Sequence, residues 1–504
     1  MSRRTLPAVL AVAGAALVLI AAAGAARITG TNHADLVLGT LRADRVSARG
    51  GNDRVDMAGG ARDRVSCGRG SDLVAADSTD RLSADCEIVS RRISVDPYSG
   101  GGAIHASEAE PDSFSWGSTV VASFQVARFQ NGGALNIGFA VSRDSGRTWT
   151  SGLLPSLTAR SRPRGPFARA SDPSVAYDAF HGVWLIASLA FSDNESALVV
   201  SASPDGVHWS DPYVAGRKPN GQDGILFDKE WIACDNGAAS PVRGRCYLSY
   251  SDIENVRLAT QTSFDGGKTW SAPAASPDNA GRRGILGPAA PAPQPVSLLN
   301  GVLSVPLFDG EIYVVVSVNG GGSFSPETLV APSRFYSSNR LRSGPFPSAE
   351  VGAGGVAYMV WPDCGQRASC AGNDLVLSKS TNGLTWTPPA KIPLGPGNHV
   401  IDGLAADPDR PGRVAVAYYT ESTRKLDVRV AWSSDFGATW SRQQLVSPER
   451  MPYTRIAQSN GAMVGDYIST SFAGGRAVAV FTLAQSKLRG RLRQATYAAS
   501  VAVP

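Results

Sequence analysis

Histidine is scarce in this sequence: the five present among 504 residues are scattered without metal-ligand spacing. There is no Gly-x-Ser-x-Gly nucleophile elbow and no glycine-rich loop of the kind that cradles phosphate. None of the six cysteines forms a Cys-x-x-Cys pair, which zinc and redox sites use. The sequence therefore lacks the usual patterns of zinc enzymes, α/β-hydrolases, nucleotide-binding enzymes and thiol oxidoreductases.

An excess of charge of one sign is also missing. The chain has 48 basic and 43 acidic residues, and its formal net charge is +5. Proteins that bind nucleic acid usually carry a much stronger positive field or a basic patch. We therefore expect no nucleic-acid partner.

The first 26 residues have the pattern of an export signal. Arg3 and Arg4 precede an apolar stretch over residues 6–26 that ends in small residues, with a cleavage site near Ala25 or Ala26. The alternative is a retained anchor, because the stretch is about as long as the ~20 residues that span a bilayer. We expect a secreted or extracellular protein that meets a membrane only through this segment and stays anchored if the segment is not cleaved.

The cysteines fall into three pairs that are close in sequence: Cys67 with Cys86, Cys234 with Cys246, and Cys364 with Cys370. Six cysteines allow fifteen pairings, of which local pairing is the simplest. Disulfides suit an oxidising, extracellular destination. The sequence therefore predicts three local disulfides.

One turn motif recurs six times: Ser, any residue, Asp, any residue, Gly, two of any kind, then an aromatic. The complete copies are Ser142-Asp144-Gly146-Trp149, Ser263-Asp265-Gly267-Trp270 and Ser433-Asp435-Gly437-Trp440. The degenerate copies are Ser203-Asp205-Gly206-Trp209, Ser317-Asn319-Gly321-Phe324 and Ser380-Asn382-Gly383-Trp386. The six aromatics are 60, 61, 54, 62 and 54 residues apart, a period that is typical of repeat architectures. Each copy follows an alternating apolar run, so the motif predicts a turn at the end of a strand.

This motif resembles the Asp box, or bacterial neuraminidase repeat, of the sialidase superfamily, over about residues 96–504. The resemblance implies an all-β protein in which residues 91–504 form a β-propeller of radial four-stranded blades. Counting the strands that begin each unit favours seven blades, with six as the alternative. In that superfamily Asp boxes lie on the outer rim and also occur in propellers that cleave nothing.

Residues 27–90 have a shorter period. Asp35, Asp44, Asp53, Asp63, Asp72 and Asp80 recur every eight to ten residues, each followed two positions later by an aliphatic residue. The pattern resembles the haemolysin-type calcium-binding repeat, which forms a parallel β-roll, and its glycines are best kept before Asp72 and partly before Asp53. The resemblance implies calcium ligands at Asp53 and Asp72. The alternative is a vestigial roll that the Cys67–Cys86 bridge holds in place of metal.

In a propeller, the polar residues at the starts of the innermost strands converge on the mouth of the central channel. Here those residues are Glu110, Asp172, Asp228, Glu230, Gln294, Asp402 and Asp466, with Lys229, Arg342 and Tyr467 beside them. Such a rim suits a cation or a polyhydroxylated ligand. The alternative is that these residues only bond to neighbouring backbone at the starts of strands.

Sialidases, as a family, hold a carboxylate with three arginines and use a tyrosine nucleophile activated by a glutamate, with an aspartate as acid and base. The resemblance would give Tyr467 as nucleophile and Glu230 as its partner. Asp172, Arg342 and Arg455 would fill further roles. The Arg-Ile-Pro motif of the family is missing. We therefore expect a monomeric sialidase-like protein that binds glycan or another extracellular ligand without a complete catalytic set. The alternative is an exo-α-sialidase-type glycoside hydrolase.

Overall fold

The computed structural model describes residues 26–219, 225–286, 291–487 and 490–504, together with the backbone of residues 17–20. Apart from residues 17–20 and 26, the predicted leader lies outside the described residues. The described part is almost entirely β-structure, with one short helix, α1 (Arg282–Leu286), and two 3-10 turns, Ala368–Cys370 and Tyr453–Arg455. No helix of this part is long and apolar enough to cross a membrane. The all-β class is confirmed.

The strands before residue 100 are β1 (Leu17–Ile20), β2 (Arg27–Thr29), β3 (Asp35–Leu38), β4 (Arg45–Ser47), β5 (Arg54–Asp56), β6 (Arg64–Ser66), β7 (Leu73–Ala76), β8 (Arg81–Leu82) and β9 (Ile88–Arg92). They stack in parallel as two sheets, in the orders β1-β3-β5-β7-β9 and β2-β4-β6-β8. Successive coils place aliphatic residues on top of each other, as in the pairs Val37 with Val55 and Val55 with Val74. This stack is a β-solenoid with a buried aliphatic core.

The strands that follow, up to residue 263, are β10 (Ala109–Trp116), β11 (Thr119–Arg128), β12 (Ala134–Ser142), β13 (Thr150–Leu153), β14 (Arg169–Asp178), β15 (Val183–Phe191), β16 (Glu195–Ser203), β17 (Tyr213–Pro219), β18 (Phe227–Cys234), β19 (Cys246–Asp252) and β20 (Arg257–Ser263). The remaining strands are β21 (Val296–Ser297), β22 (Leu303–Phe308), β23 (Ile312–Ser317), β24 (Thr328–Ala331), β25 (Ser348–Val351), β26 (Ala357–Asp363), β27 (Asp374–Ser380), β28 (Ala390–Lys391), β29 (Asn398–Ala406), β30 (Val414–Ser422), β31 (Lys425–Ser433), β32 (Gln444–Leu445), β33 (Met451–Pro452), β34 (Ser469–Ala473), β35 (Arg476–Ala484) and β36 (Gln494–Ala502).

The prediction of a radial β-propeller, with seven or six four-stranded blades, is wrong. The structure contains a β-solenoid of stacked coils, and the last solenoid strand, β9, continues into the C-terminal strands β36, β35 and β34 within one eight-stranded sheet. The antiparallel sheets are unequal as well, since one has eight strands, others four or five, and one has three. The Asp-box motif failed as a guide because it specifies one turn and its flanking strand ends, and it does not specify how sheets assemble.

The three predicted disulfides are confirmed. Cys67–Cys86 closes one coil of the solenoid, and Cys234–Cys246 joins the paired ends of β18 and β19. Cys364–Cys370 closes a short loop after β26. Among the described residues no cysteine remains free.

Several strands from distant parts of the chain pack against each other and carry the candidate site. Strand β10 contacts β14 and β34, β14 contacts β18, and β29 contacts β25 and β34. Apolar side chains fill the space between the sheets in several buried clusters. This packing brings together strand segments that are far apart in sequence.

Candidate functional site

Strands β10, β14, β18 and β29 share one backbone distortion, a β-bulge that interrupts pairing with the neighbouring strand. The pairing register shifts between Ala109 and Asp112 in β10, between Ser171 and Ser174 in β14, between Asp228 and Trp231 in β18, and between Val400 and Asp402 in β29. A residue with positive φ lies in each interruption: Glu110 (51°), Asp172 (48°), Lys229 (55°) and Ile401 (52°). Bulges of this kind turn side chains out of the regular alternation and are frequent beside functional sites. The repeated bulge points the site's side chains toward a common region.

Asp466 is the centre of an ion-pair network. Arg342 donates two hydrogen bonds to Asp466, from Nε to Oδ1 at 2.7 Å and from Nη2 to Oδ2 at 2.6 Å. Lys229 Nζ contacts the same Oδ2. Lys229 Nζ also lies 3.9 Å from an oxygen of Asp172. Burial opposes ionisation of Asp466, but Lys229 and Arg342 outweigh it and hold its pKa far below the usual range. The cations of the site are therefore already neutralised by its own carboxylates.

Glu110 and Asp228 border this network and titrate differently. Burial, with the negative charge of Asp172 added, raises the pKa of Glu110 to about 8, although Arg128 lies 3.5 Å away. Burial raises the pKa of Asp228 to about 6, against the opposing charge of Lys229. Burial thus raises the pKa of both carboxyl groups, and that of Glu110 further.

A narrow pocket with a cavity volume of about 20 Å³ opens beside the network, which is room for one small polar group. Its partly exposed rim includes Trp231, Phe346 and Tyr467. The rings of Trp231 and Tyr467 meet nearly edge to face, with centroids 4.9 Å apart. Such a rim offers apolar ring faces next to polar groups.

Two carboxyl groups line this pocket without partners. Glu230 and Asp402 are buried, at 1% and 5% exposure, and none of their four carboxyl oxygens has a hydrogen-bond partner. Burial raises the pKa of Asp402 well above its usual range. Burial does the same for Glu230, and the nearby charge of Asp172 adds to the effect. Unpartnered buried groups are costly and rare, so they mark a place where a ligand can supply the missing bonds.

The structure brings together most of the predicted site residues, but not in the arrangement that sialidase chemistry needs. Tyr467 donates its hydroxyl hydrogen to the carbonyl of Pro173 at 3.1 Å and makes no hydrogen bond to Glu230. Arg455 is paired with Glu449 at 2.9 Å, away from the network. Of the described arginines, Arg128 and Arg342 contact the site's carboxylates.

Sequence reasoning identified Tyr467 but missed Arg128 and the other two aromatic residues of the rim, Trp231 and Phe346. Arg128 lies at the end of β11 and donates to Gln125 at 2.7 Å, in a strand that carried no motif. Trp231 directly follows Glu230, and an aromatic beside a predicted polar position was the signal that could have revealed it. Phe346 lies in a loop more than one hundred residues away, so only packing places it here.

The six Asp-box turns are structural. In the complete copy at Ser263, the serine hydroxyl donates to Asp265 at 3.0 Å and accepts the N–H of Gly267 at 2.9 Å. The indole of Trp270 donates to the Gly267 carbonyl at 3.0 Å. The same indole bond occurs at Trp149, Trp209, Trp386 and Trp440. These residues hold turns at strand ends and take no part in the pocket.

The aspartates of the solenoid bond mainly to the chain itself. Asp53 Oδ1 accepts the N–H of Asp35 at 2.8 Å, and Asp72 Oδ1 accepts the N–H of Asp53 at 2.7 Å. Within the described residues, the one group of three or more metal-ligating side chains close enough to share an ion is Cys67, Asp85 and Cys86, and its two sulfurs form a disulfide. Calcium prefers six to eight oxygen ligands. The second carboxylate oxygens of Asp53 and Asp72 are buried without a hydrogen-bond partner, and calcium binding at these residues stays a prediction.

Comparison with known proteins gives one local family match and several structural likenesses. Residues 261–272 match the BNR/Asp-box repeat. No curated protein sequence matches the chain.

The solved structures to which the chain is similar include two sialidases and a polysaccharide lyase. The leech intramolecular trans-sialidase complexed with 2,7-anhydro-Neu5Ac has 13% identity, covering 72% of this chain and 70% of that one, with a TM-score of 0.44. The NanB sialidase of Streptococcus pneumoniae has 13% identity, covering 82% and 71%, with a TM-score of 0.43. A polysaccharide lyase of family PL25, an ulvan lyase, has 11% identity, covering 80% and 93%, with a TM-score of 0.44. Likeness at this level transfers no activity to this chain.

Proposed function

We propose that this protein binds a glycan in the pocket beside the Asp466 network and lacks a complete sialidase catalytic set. The observation that carries the proposal is the pair of buried, unpartnered carboxyl groups, Glu230 and Asp402, beneath an aromatic rim. A protonated carboxyl group both donates and accepts hydrogen bonds, and a sugar offers several hydroxyls that do the same. An aromatic face contributes apolar contact to the C–H face of a sugar ring.

The geometry argues against hydrolysis through Tyr467. Burial raises the pKa of the Tyr467 hydroxyl well above its usual range, and the negative charges of Glu110 and Asp172 add to that rise. Its hydroxyl hydrogen is also committed to a backbone carbonyl. A nucleophile needs an adjacent base or a lowered pKa, and Tyr467 has neither.

The same proposal places the protein outside the cell as a monomer. The apolar run over residues 6–26 and the three disulfides both suit an exported protein. In this proposal residues 27–90 form a cap or spacer, and residues 91–504 carry the ligand site.

A glycan array followed by calorimetric titration tests the binding function. We expect saturable binding to at least one glycan, and Trp231→Ala should weaken it about tenfold or more, which corresponds to about 1.4 kcal/mol. The matched control is Trp116→Ala, because Trp116 is exposed and does not line the pocket. Absence of binding to every glycan class, or equal binding by both variants, would contradict the proposal.

A fluorogenic α-sialoside assay tests the alternative. We expect no turnover above a protein-free blank. Turnover that Tyr467→Phe abolishes would show instead that the hydrolase alternative is correct.

A further inference from the structure

The charges around the pocket indicate which kind of sugar it accepts. The positive groups nearest the pocket are paired with acidic partners: Arg342 makes two hydrogen bonds to Asp466, and Lys229 contacts the same carboxylate. Arg128, whose Nε has no hydrogen-bond partner, donates to Gln125 and does not line the pocket. A ligand carboxylate would have to displace one of these buried pairs, and breaking such a pair is costly.

The pocket's groups that lack a hydrogen-bond partner are acidic. Among its described lining residues, the buried side-chain atoms without a partner are the carboxyl oxygens of Glu230 and Asp402. A carboxyl group that ionises when a ligand binds can only accept hydrogen bonds, so the ligand that stabilises its ionised form must bring donors. A sugar carboxylate brings further acceptors and negative charge, whereas a protonated amine brings three donors and a positive charge.

The electrostatic surroundings of these two carboxyls favour a cation. Glu230 faces the negative charges of Asp172 and Asp228, and Asp402 is buried with neither carboxyl oxygen hydrogen-bonded. Lys229 is the nearest competing cation on the lining, and Asp466 and Asp172 offset its charge. An ammonium group in the pocket would allow a buried carboxyl to ionise, because an opposite charge nearby stabilises the charged form.

We infer that the glycan unit taken by this pocket is an amino sugar with a free, protonated amine, paired with the carboxylate of Asp402 or Glu230. The inference rests on the proposed function and names its ligand class. The aromatic rim of Trp231, Phe346 and Tyr467 would contact the sugar ring, and a buried carboxylate would hold the ammonium group.

The test compares two ligands of equal length that differ in the amine alone: a β-1,4-linked glucosamine tetramer and its fully N-acetylated counterpart. Calorimetric titration at pH 5, where the sugar amines already carry their protons, should show the free-amine tetramer binding at least tenfold more tightly. Repeating the titration in two buffers of different ionisation enthalpy should show proton release with the free-amine ligand and none with the N-acetylated ligand. The release follows because a carboxyl that is protonated in the free protein loses its proton on pairing with the ammonium.

Two variants identify the carboxyl, and one controls for general attraction of a cationic ligand. At least one of Asp402→Asn and Glu230→Gln should reduce free-amine binding to the level of the N-acetylated ligand, and a thermal melt checks that each variant is folded. Asp211→Asn should leave binding unchanged, because Asp211 is exposed and does not line the pocket.

The outcomes separate this inference from the function on which it rests. Equal or tighter binding of the N-acetylated tetramer or of a sialyl oligosaccharide would overturn the amine inference and leave glycan binding intact. The inference also fails if neither carboxyl variant weakens free-amine binding, or if Asp211→Asn weakens it as much. No binding of any glycan would overturn both.

Discussion

Removing the acidic residue of one Asp box measures how much these turns stabilise the protein. Asp265 accepts four hydrogen bonds: from the Ser263 hydroxyl at 3.0 Å, the Lys268 N–H at 3.1 Å, the Thr269 N–H at 2.9 Å and the Thr269 hydroxyl at 2.7 Å. A hydrogen bond contributes about 0.5–1.5 kcal/mol net, and water can reach these exposed donors once the carboxylate is gone. We expect Asp265→Ala to lower the free energy of unfolding by about 2–3 kcal/mol.

A second copy of the motif supplies the matched control. At the equivalent position Asn319 accepts the Ser317 hydroxyl at 2.9 Å and the Ser323 N–H at 3.0 Å, and its amide donates to the Ser323 hydroxyl at 2.9 Å. An asparagine therefore preserves most of the turn's bonds. We expect Asp265→Asn to cost less than about 1 kcal/mol, because only the charge is lost.

Urea unfolding, followed by tryptophan fluorescence and circular dichroism, measures both variants against the parent protein. The dependence of the free energy of unfolding on urea concentration should be the same for all three proteins, so that the change in midpoint reports the change in stability. A cost below about 0.5 kcal/mol for Asp265→Ala would refute the hydrogen-bond account. So would equal costs for the alanine and asparagine variants.

Three further predictions concern the solenoid. Burial raises the pKa of Asp63 to about 7 in the folded protein. The unfolded chain loses this proton from about pH 4, whereas the folded protein keeps it up to about pH 7. Asp63 therefore lowers the free energy of unfolding increasingly as the pH rises from about 4 to 7. Asp63→Asn should therefore raise the free energy of unfolding at pH 8 by on the order of 2 kcal/mol and have little effect at pH 4; the same gain at both pH values would contradict this. Replacing Cys67 and Cys86 together by serine should cost about 3 kcal/mol in non-reducing urea titrations, since the bridge spans 19 residues, and an unchanged midpoint would show that the coil needs no cross-link. Excess EDTA should leave the melting temperature unchanged, because Asp53 and Asp72 bond to the backbone of neighbouring coils; a calcium-dependent rise would instead confirm the calcium prediction.

The features that could be predicted from the sequence are those that depend on local chemistry. The bonds of the Asp-box turns span at most four residues, so Ser263, Asp265 and Gly267 are sufficient to specify them. The period of aspartate and aliphatic residues specified the parallel roll, because each coil repeats the same contacts with the next. The disulfides were predictable because each closes a short loop.

The assembly of the sheets and the properties of the site were settled only by tertiary structure. The pairing of β9 with β36 joins residues about four hundred positions apart, and no local pattern encodes such a pairing. The sequence marked Glu230 and Asp402 as candidate site residues at strand starts, whereas both lie in the middle of their strands, β18 and β29. A carboxyl group also has the same formula whether it is solvated or buried. Only the packing of neighbouring strands removes water from these two groups and raises their pKa, while the same packing gives Asp466 two cations and lowers its pKa. Local turns follow from neighbouring residues along the chain, whereas protonation states and a binding pocket depend on which distant residues exclude water and supply charge.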